Sequence, residues 1–300
     1  MSQWARAAHR RQTRSKLALI RKYECYNRPF PGPGPYGAHC LEEEGHFLLR
    51  SVFAPDEVRA LREEVEEVYR TVPPDWRNGS PTREHAEQFR YQLFNRSPLV
   101  QRAICRREIL DLVEPLLGED CHVLSCTSWR NPPGSGYAPR GQQWHVDGGP
   151  YIARPEEHVW PAHIPYPIFV ITTHIYLADV ALEDGPTAIL PGSHRSGRLP
   201  PHERMWDLDL TYGGMSGEIH LANAGDVTLF VSDTWHRRMP TTEACKGRFF
   251  VQSAYGRREV AQRLIPTEQM GMVSEAARAR ARSQRELEVL GIHPQVFYDG

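Results

Sequence analysis

Residues 169–180 read Phe-Val-Ile-Thr-Thr-His-Ile-Tyr-Leu-Ala-Asp-Val, and residues 226–231 read Asp-Val-Thr-Leu-Phe-Val. Both runs are rich in β-branched and aromatic residues and end in turn formers, so each predicts a strand. Four further runs share the pattern: CHVLSCTSW (121–129), TAILP (187–191), EIHLA (218–222) and RFFVQSAYG (248–256). NPPGSG, EDGP, PGSH and NAGD separate them as turn signals. There is no β–α–β alternation and no internal repeat. Short strands in series, with helical patterns at either end, predict a mainly β chain with flanking helices, built as an antiparallel double-sheet barrel or sandwich.

Upstream, GHFLLRSVF (45–53) reads as a short strand. APDEVRALREEVEEVYR (54–70) then places Val58, Leu61, Val65 and Val68 three and four apart, with acids between them and a Pro-Asp start, which predicts an amphipathic helix. LVQRAICRREILDLVEPLLGED (99–120) repeats that pattern and is expected to stop at Gly118. SEAARARARSQRELEVL (274–290) reads as a charged, exposed helical tail. Residues 1–44 form an expected basic, Pro/Gly-rich extension: the first 40 carry eight Lys or Arg against one acid, Glu24, and 29–37 read as a linker or wrapping segment. Residues 45–300 are expected to be a single domain, with an irregular, lid-like insertion near 150–167.

Charge and composition exclude several classes. Net charge is -1 over 300 residues, so bulk electrostatics do not favour a polyanion, and no nucleic-acid partner is expected. No apolar run approaches the ~18 residues a membrane helix needs, and the N-terminus lacks the apolar core of a secretory signal. Six cysteines without a CxxC pair argue against a zinc ribbon or disulfide framework and point to reduced thiols in a cytoplasmic protein.

The chemistry begins at Gln142-Gln143-Trp144-His145-Val146-Asp147-Gly148-Gly149. On a strand, positions i and i+2 face the same way, so His145 and Asp147 offer an imidazole and a carboxylate to one point. Asp233-Thr234-Trp235-His236 closes the run DVTLFVS, and His236 is the expected third ligand if the two strands are neighbours. Two histidines and one carboxylate leave half of an octahedral sphere open, the ligand set of non-haem Fe(II) oxygenases. The open positions admit a bidentate organic acid and O2, and the carboxylate favours oxygenation over halogenation.

The surrounding chain, roughly residues 45–260, resembles the phytanoyl-CoA dioxygenase family. The segments that carry the likeness are Asn131-Pro132-Pro133-Gly134-Ser135-Gly136, Trp144-His145-Val146-Asp147, Ile175–Val180 leading into Asp184-Gly185-Pro186-Thr187, Ile189–His194, and Ala224-Gly225-Asp226-Val227 with Phe230. The resemblance implies a double-stranded β-helix (jelly-roll, cupin-like) core, Fe(II) as metal, and 2-oxoglutarate and O2 as co-substrates. It further implies oxidation of a C–H bond in a small molecule, with release of succinate and CO2.

The family places an arginine for the distal carboxylate of 2-oxoglutarate about eleven residues after the distal histidine. Here Gly247 holds that position, between Lys246 and Arg248. Arg248 is the expected residue because it enters the strand and its planar fork matches a carboxylate. Asn131 and His174 are also expected near the co-substrate. His194 is expected to fix its loop and not to bind metal, while His158 and His163 belong to the insertion. Arg130, Arg195, Arg198, Arg237, Arg238, Arg257 and Arg258 flank the expected mouth, with Trp144, Tyr151, Tyr176, Trp235 and Tyr255 nearby. Competing readings are a non-catalytic metal-binding cupin-like protein and a metal-dependent hydrolase or isomerase on the same scaffold. A nucleic-acid demethylase would rest on the basic arm alone. Oligomeric state and primary substrate are not encoded in any motif.

Overall fold

The computed structural model describes residues 36–74, 83–161, 164–262 and 273–294. In chain order its strands are β1 (His46–Leu49), β2 (Phe89–Tyr91), β3 (His122–Asn131), β4 (Val170–Tyr176), β5 (Thr187–Ile189), β6 (Thr211–Tyr212), β7 (Met215–Ser216), β8 (Glu218–His220), β9 (Val227–Val231), β10 (His236–Arg238) and β11 (Arg248–Gly256). The helices are α1 (Tyr36–Glu43), α2 (Pro55–Thr71), α3 (Arg83–Ala86), α4 (Leu93–Arg96), α5 (Pro98–Ala103), α6 (Arg107–Leu117), α7 (Glu275–Arg280) and α8 (Gln284–Val289).

An antiparallel six-stranded sheet runs β1-β9-β4-β11-β3-β2, and a three-stranded one runs β10-β5-β8; β6 and β7 form a small hairpin. The period-two alternation of the long strands sorts their side chains between two environments. Ile171 and Ile175 of β4, Val227, Leu229 and Val231 of β9, and Phe249 and Val251 of β11 join the main apolar core. That core also holds Val58, Leu61, Val65 and Val68 of α2 and most of the apolar residues of α6, so the helices cover this face. The intervening residues Thr172, His174, Phe250 and Gln252 face the other way, where the functional cavity lies. Burial of each Leu, Ile or Val side chain contributes about 1.5–3 kcal/mol, so the helix-backed face is the main source of rigidity for the other.

All six strand runs of the β-rich half form strands, as does 46–49. Several expectations need correction. The helix expected over 99–120 is two, α5 and α6, broken at Ile104–Arg106. Ile104 is fully buried there, and Arg106 is extended so that its guanidinium reaches Glu57 at 2.8 Å and the Val52 carbonyl at 3.0 Å. The C-terminal tail is also two helices, and only one side of it is exposed. Ala277, Val289 and Leu290 are buried, and Arg285 reaches Glu114 at 2.8 Å and the Cys121 carbonyl at 2.9 Å. Arg280 and Arg285 face partners on the domain, while Glu275, Arg278 and Arg282 are exposed.

The boundary expected at residue 45 falls inside the structured unit. In α1, Ala38, Cys40 and Leu41 are buried, and Leu41 belongs to the main core. Most of the basic extension, and most of the proposed linker, lies outside the described residues. Described residues of the 150–167 insertion form no helix or strand. The insertion is tied down by Tyr151 N–H donating to Asp233 Oδ2 (2.9 Å) and Arg154 N–H donating to the Gly197 carbonyl (3.0 Å). None of them lines the functional cavity. His158 is exposed, and His163 lies outside the described residues.

The turn NAGD needs its glycine. Gly225 has φ +95°, and a Cβ there would stand 2.4 Å from the Phe53 carbonyl oxygen. The close approach lets the Gly225 carbonyl accept from both Val52 and Phe53, which anchors β1 beside β9. Among the described residues no helix is long and apolar enough to cross a membrane.

Candidate metal centre and its cavity

The segment 142–149 forms no regular strand, contrary to expectation: it holds a single bridge residue, His145, between bends. His145 and His236 make an isolated antiparallel bridge, each N–H donating to the other's carbonyl at 2.9 and 3.0 Å. In a continued ladder Asp147 would pair with residue 234, yet its N–H donates to the Ser232 carbonyl at 3.0 Å. The turn at 232–235 shifts the register and ends the pairing. DVTLFVS therefore does not run on to His236: β9 stops at Val231 in the large sheet, and His236 opens β10 in the small one.

Each imidazole is oriented by its own backbone. His145 Nδ1 lies 2.9 Å from the Gln143 carbonyl and His236 Nδ1 lies 2.9 Å from the Thr234 carbonyl. A carbonyl only accepts, so each Nδ1 carries the proton and each Nε2 keeps its lone pair. Those Nε2 atoms stand 3.9 and 3.5 Å from Asp147 Oδ1, and one donor atom from each of the three residues lies within 4.8 Å of the others. Metal–nitrogen bonds of about 2.0–2.1 Å place neighbouring donors ~3.0–3.4 Å apart, so closure around an ion takes only a small movement. The other carboxylate oxygen, Asp147 Oδ2, has Thr172 Oγ1 at 3.4 Å and Gln252 Nε2 at 3.5 Å.

Electrostatics agree with the geometry. Burial, helped by the nearby His236, pushes the His145 ring down to about 4, so it is neutral at physiological pH. Burial alone would raise the Asp147 carboxyl, but His236 and then His145 outweigh it and hold the group below the usual carboxylate range. Burial also works against a charged His236, and the carboxylate beside it reverses the direction, leaving that ring raised. A divalent ion between the three groups would favour the unprotonated Nε2 of both rings.

The same cavity holds Arg248, His174, Trp129, Phe250, Gln252 and Thr187, with Gln142, Arg237 and Arg238 at its wall. Arg248 is 6% exposed; its Nε–H donates to Asn131 Oδ1 at 3.1 Å and an Nη1–H to the Gly185 carbonyl at 3.0 Å. Asn131 is in turn held by Gln88 at 2.9 Å and does not itself line the cavity, so it positions Arg248. Lys246 is exposed, outside the cavity. His174 Nδ1 is buried with no hydrogen-bond partner, and burial followed by the charge of Arg248 pushes the ring down to about 3. His194 is fully buried and its Nε2 donates to the Glu42 carbonyl at 3.0 Å, fixing the loop against α1.

Strand parity locates several residues that the motif reading passed over. Arg248, Phe250 and Gln252 alternate on one face of β11, and β3 and β4 place Trp129 opposite Phe250 and His174 opposite Gln252. Of the seven arginines, only Arg237 and Arg238 reach the wall. Arg195, Arg198, Arg257 and Arg258 pair with Glu43, Glu156, Glu259 and Asp120, and Arg130 lies over the Tyr69 ring. None of the five aromatic residues expected nearby lines the cavity. Trp144 and Trp235 pack with Ala188, Leu190 and Leu210 behind it.

Residues 41–244 match the family model for phytanoyl-CoA dioxygenase. Solved structures with the same architecture include HygX from Streptomyces hygroscopicus with nickel and 2-oxoglutarate bound, at 18% identity and TM-score 0.57 over 77% of this chain and 90% of that one. EctD from S. alaskensis with 2-oxoglutarate and 5-hydroxyectoine matches at 19% identity and TM-score 0.58, over 80% of this chain and 79% of that one. The epimerase SnoN in complex with Fe3+, alpha-ketoglutarate and nogalamycin RO matches at 18% identity and TM-score 0.56, over 74% and 83%. These likenesses show the fold: a jelly roll whose two sheets remain open at their edges.

Proposed function

This chain belongs to the phytanoyl-CoA dioxygenase family, and from that premise we propose that His145, Asp147 and His236 hold the iron of a 2-oxoglutarate-dependent oxygenase that oxidises a C–H bond of a small organic molecule. The chain is an enzyme of the iron- and 2-oxoglutarate-dependent type. One observation carries the assignment of residues. Three donor atoms converge in the cavity that also contains a buried arginine, and the two imidazoles are locked by backbone bonds in the ligating tautomer.

The donor set fits Fe(II), since two neutral nitrogens and one carboxylate oxygen suit a borderline divalent ion and leave positions open. When bound, iron with 2-oxoglutarate and O2 supplies the oxidising equivalents, with succinate and CO2 as co-products. The chain's own residues do the rest. Arg248, braced by Asn131 and Gly185, receives the distal carboxylate of the co-substrate. Its burial and the exposure of Lys246 support that choice between the two cations. His174, neutral and with Nδ1 unpartnered, hydrogen-bonds to the co-substrate or to a water beside it. Trp129 and Phe250 keep the inner cavity apolar and limit water, while Gln142, Arg237 and Arg238 meet the substrate at the wall.

The substrate is a small molecule, and the free thiol state of the five described cysteines supports the cytoplasm as the working compartment. The described residues from 45 onward act as one domain in this reading, together with α1. The deciding experiment incubates the chain with Fe(II), O2 and 2-oxoglutarate and measures succinate. Succinate that requires both iron and oxygen is expected. Metal-dependent turnover without oxygen would point instead to a hydrolase or isomerase, and iron binding without any succinate to a non-catalytic binding protein.

A further inference from the structure

A second group of metal-type donors lies outside the cavity just described. His46 opens β1 in the large sheet; Glu218 and His220, two residues apart and so on one face, belong to β8 at the edge of the small sheet. His46 is 3% exposed and His220 1%, while the Glu218 side chain reaches them from solvent at 59% exposure. His46 Nδ1 and His220 Nε2 are 3.0 Å apart, and Glu218 oxygens lie 3.8 Å from His46 Nε2 and 3.9 Å from His220 Nε2. Among the described residues, only this trio and the His145 group bring three such donors within 4.8 Å of one another.

The trio has features that a simple hydrogen-bonded core pair would not need. His46 Nε2 is buried without a hydrogen-bond partner, a state that is unfavourable when nothing compensates it. A carboxylate stands just short of it. Burial lowers the His46 ring, and burial with the nearby His46 and Arg50 pushes His220 down to about 3, so both rings are in the neutral form that ligates a metal. His220 Nδ1 is fixed by Thr228 Oγ1 at 3.0 Å, as an outer partner fixes a ligating imidazole. With His46 donating through its unpartnered Nε2, Glu218 stands 3.8 Å from it and 3.9 Å from His220 Nε2, and one donor from each residue lies within 4.8 Å of the others. The flexible, exposed Glu218 and a small ring adjustment that releases the His46 Nδ1–His220 Nε2 hydrogen bond would bring the three to the ~3.0–3.4 Å spacing of donors on one ion.

We propose that His46, His220 and Glu218 form a second divalent-metal site, of the zinc class, that clamps the large sheet to the small one. Two imidazoles and one carboxylate, with water at the fourth corner, suit Zn(II). None of the three lines the cavity at His145, so the site is structural and independent of turnover.

The test strips tag-free protein with a chelator, reloads it with Zn(II), and measures bound metal and unfolding temperature. Wild-type chain is expected to bind two equivalents, and the His145→Ala/His236→Ala double variant and Glu218→Ala one each. Zn(II) should raise the unfolding temperature of the double variant but hardly that of the same chain with Glu218→Ala added. Glu218→Ala removes an exposed side chain, so it should stay folded by circular dichroism and keep forming succinate with Fe(II) at the wild-type rate. A single wild-type equivalent that disappears in the double variant would overturn the proposal. So would two equivalents that persist in Glu218→Ala.

Discussion

The two histidine–carboxylate groups of this fold are held in opposite ways. At the first, each imidazole spends Nδ1 on a main-chain carbonyl two residues before it, and both Nε2 atoms are left to converge on Asp147. At the second, the imidazoles bond each other and a threonine hydroxyl, and the carboxylate approaches from solvent. A centre that must leave coordination positions open for reactants cannot rely on its ligands to hold one another, so the backbone does it. A clamp has no such duty, and side chains suffice.

The strongest way to break this contrast is to remove a ligand from the first group. Asp147→Ala and His236→Ala should each cut succinate formation by at least ~10³-fold, about 4 kcal/mol in the barrier, with His236→Ala also losing stoichiometric iron. Iron bound by His236→Ala with wild-type affinity would show that the metal sits elsewhere. Next comes the cation. Arg248→Ala should raise the 2-oxoglutarate concentration for half-saturation by about 10–100-fold, the worth of charge-assisted hydrogen bonds. Lys246→Ala should change it less than about twofold, and equal effects would reverse the assignment.

A smaller change sharpens the contrast at the ligand's outer partners. Thr172→Val with Gln252→Ala frees Asp147 Oδ2, and iron affinity should fall by about tenfold, the low end for such partners because both contacts are long. Unchanged affinity by titration would mean that the backbone alone orients the carboxylate. The mildest effect concerns the turn that delivers His236. Burial pushes the Asp233 carboxyl up to about 6. Its folded pKa thus exceeds the ordinary value near 3.8, so the penalty on its charged form is absent at low pH, grows as pH rises from about 4 to 6, and is complete above that. Asp233→Asn keeps an acceptor for Tyr151 N–H and should be more stable than wild type at pH 7, by up to about 3 kcal/mol. The gain should vanish near pH 4 in denaturant melts; a gain independent of pH would rule out the carboxyl as its source.

Strands were legible because their alternation is local: the six runs of the β-rich half needed no partner to be recognised. The metal ligands were legible for a different reason, as residue types at motif spacing, although the strand expected to carry His145 is replaced by one bridge. What escaped was set by contacts between distant segments. Arg106 breaks a helix to reach Glu57, and the buried face of the C-terminal helices depends on Gln101 and Glu114. Phe250 and Gln252 could have been placed by counting in twos from Arg248, whereas Trp129 required knowing that β3 lies beside β11. His46 and His220, 174 positions apart, carry no spacing signal at all.

The doubly bonded pair at His145 and His236 has a kinetic corollary. Those two amides guard each other across one bridge, flanked by single bonds from Gln142 N–H to the Arg238 carbonyl and from Asp147 N–H to the Ser232 carbonyl, so an opening of this short seam exposes both together. Deuterium uptake at the two positions should then rise and fall together, and an ion bridging the rings above them would act as a staple across the same seam, slowing both by one common factor.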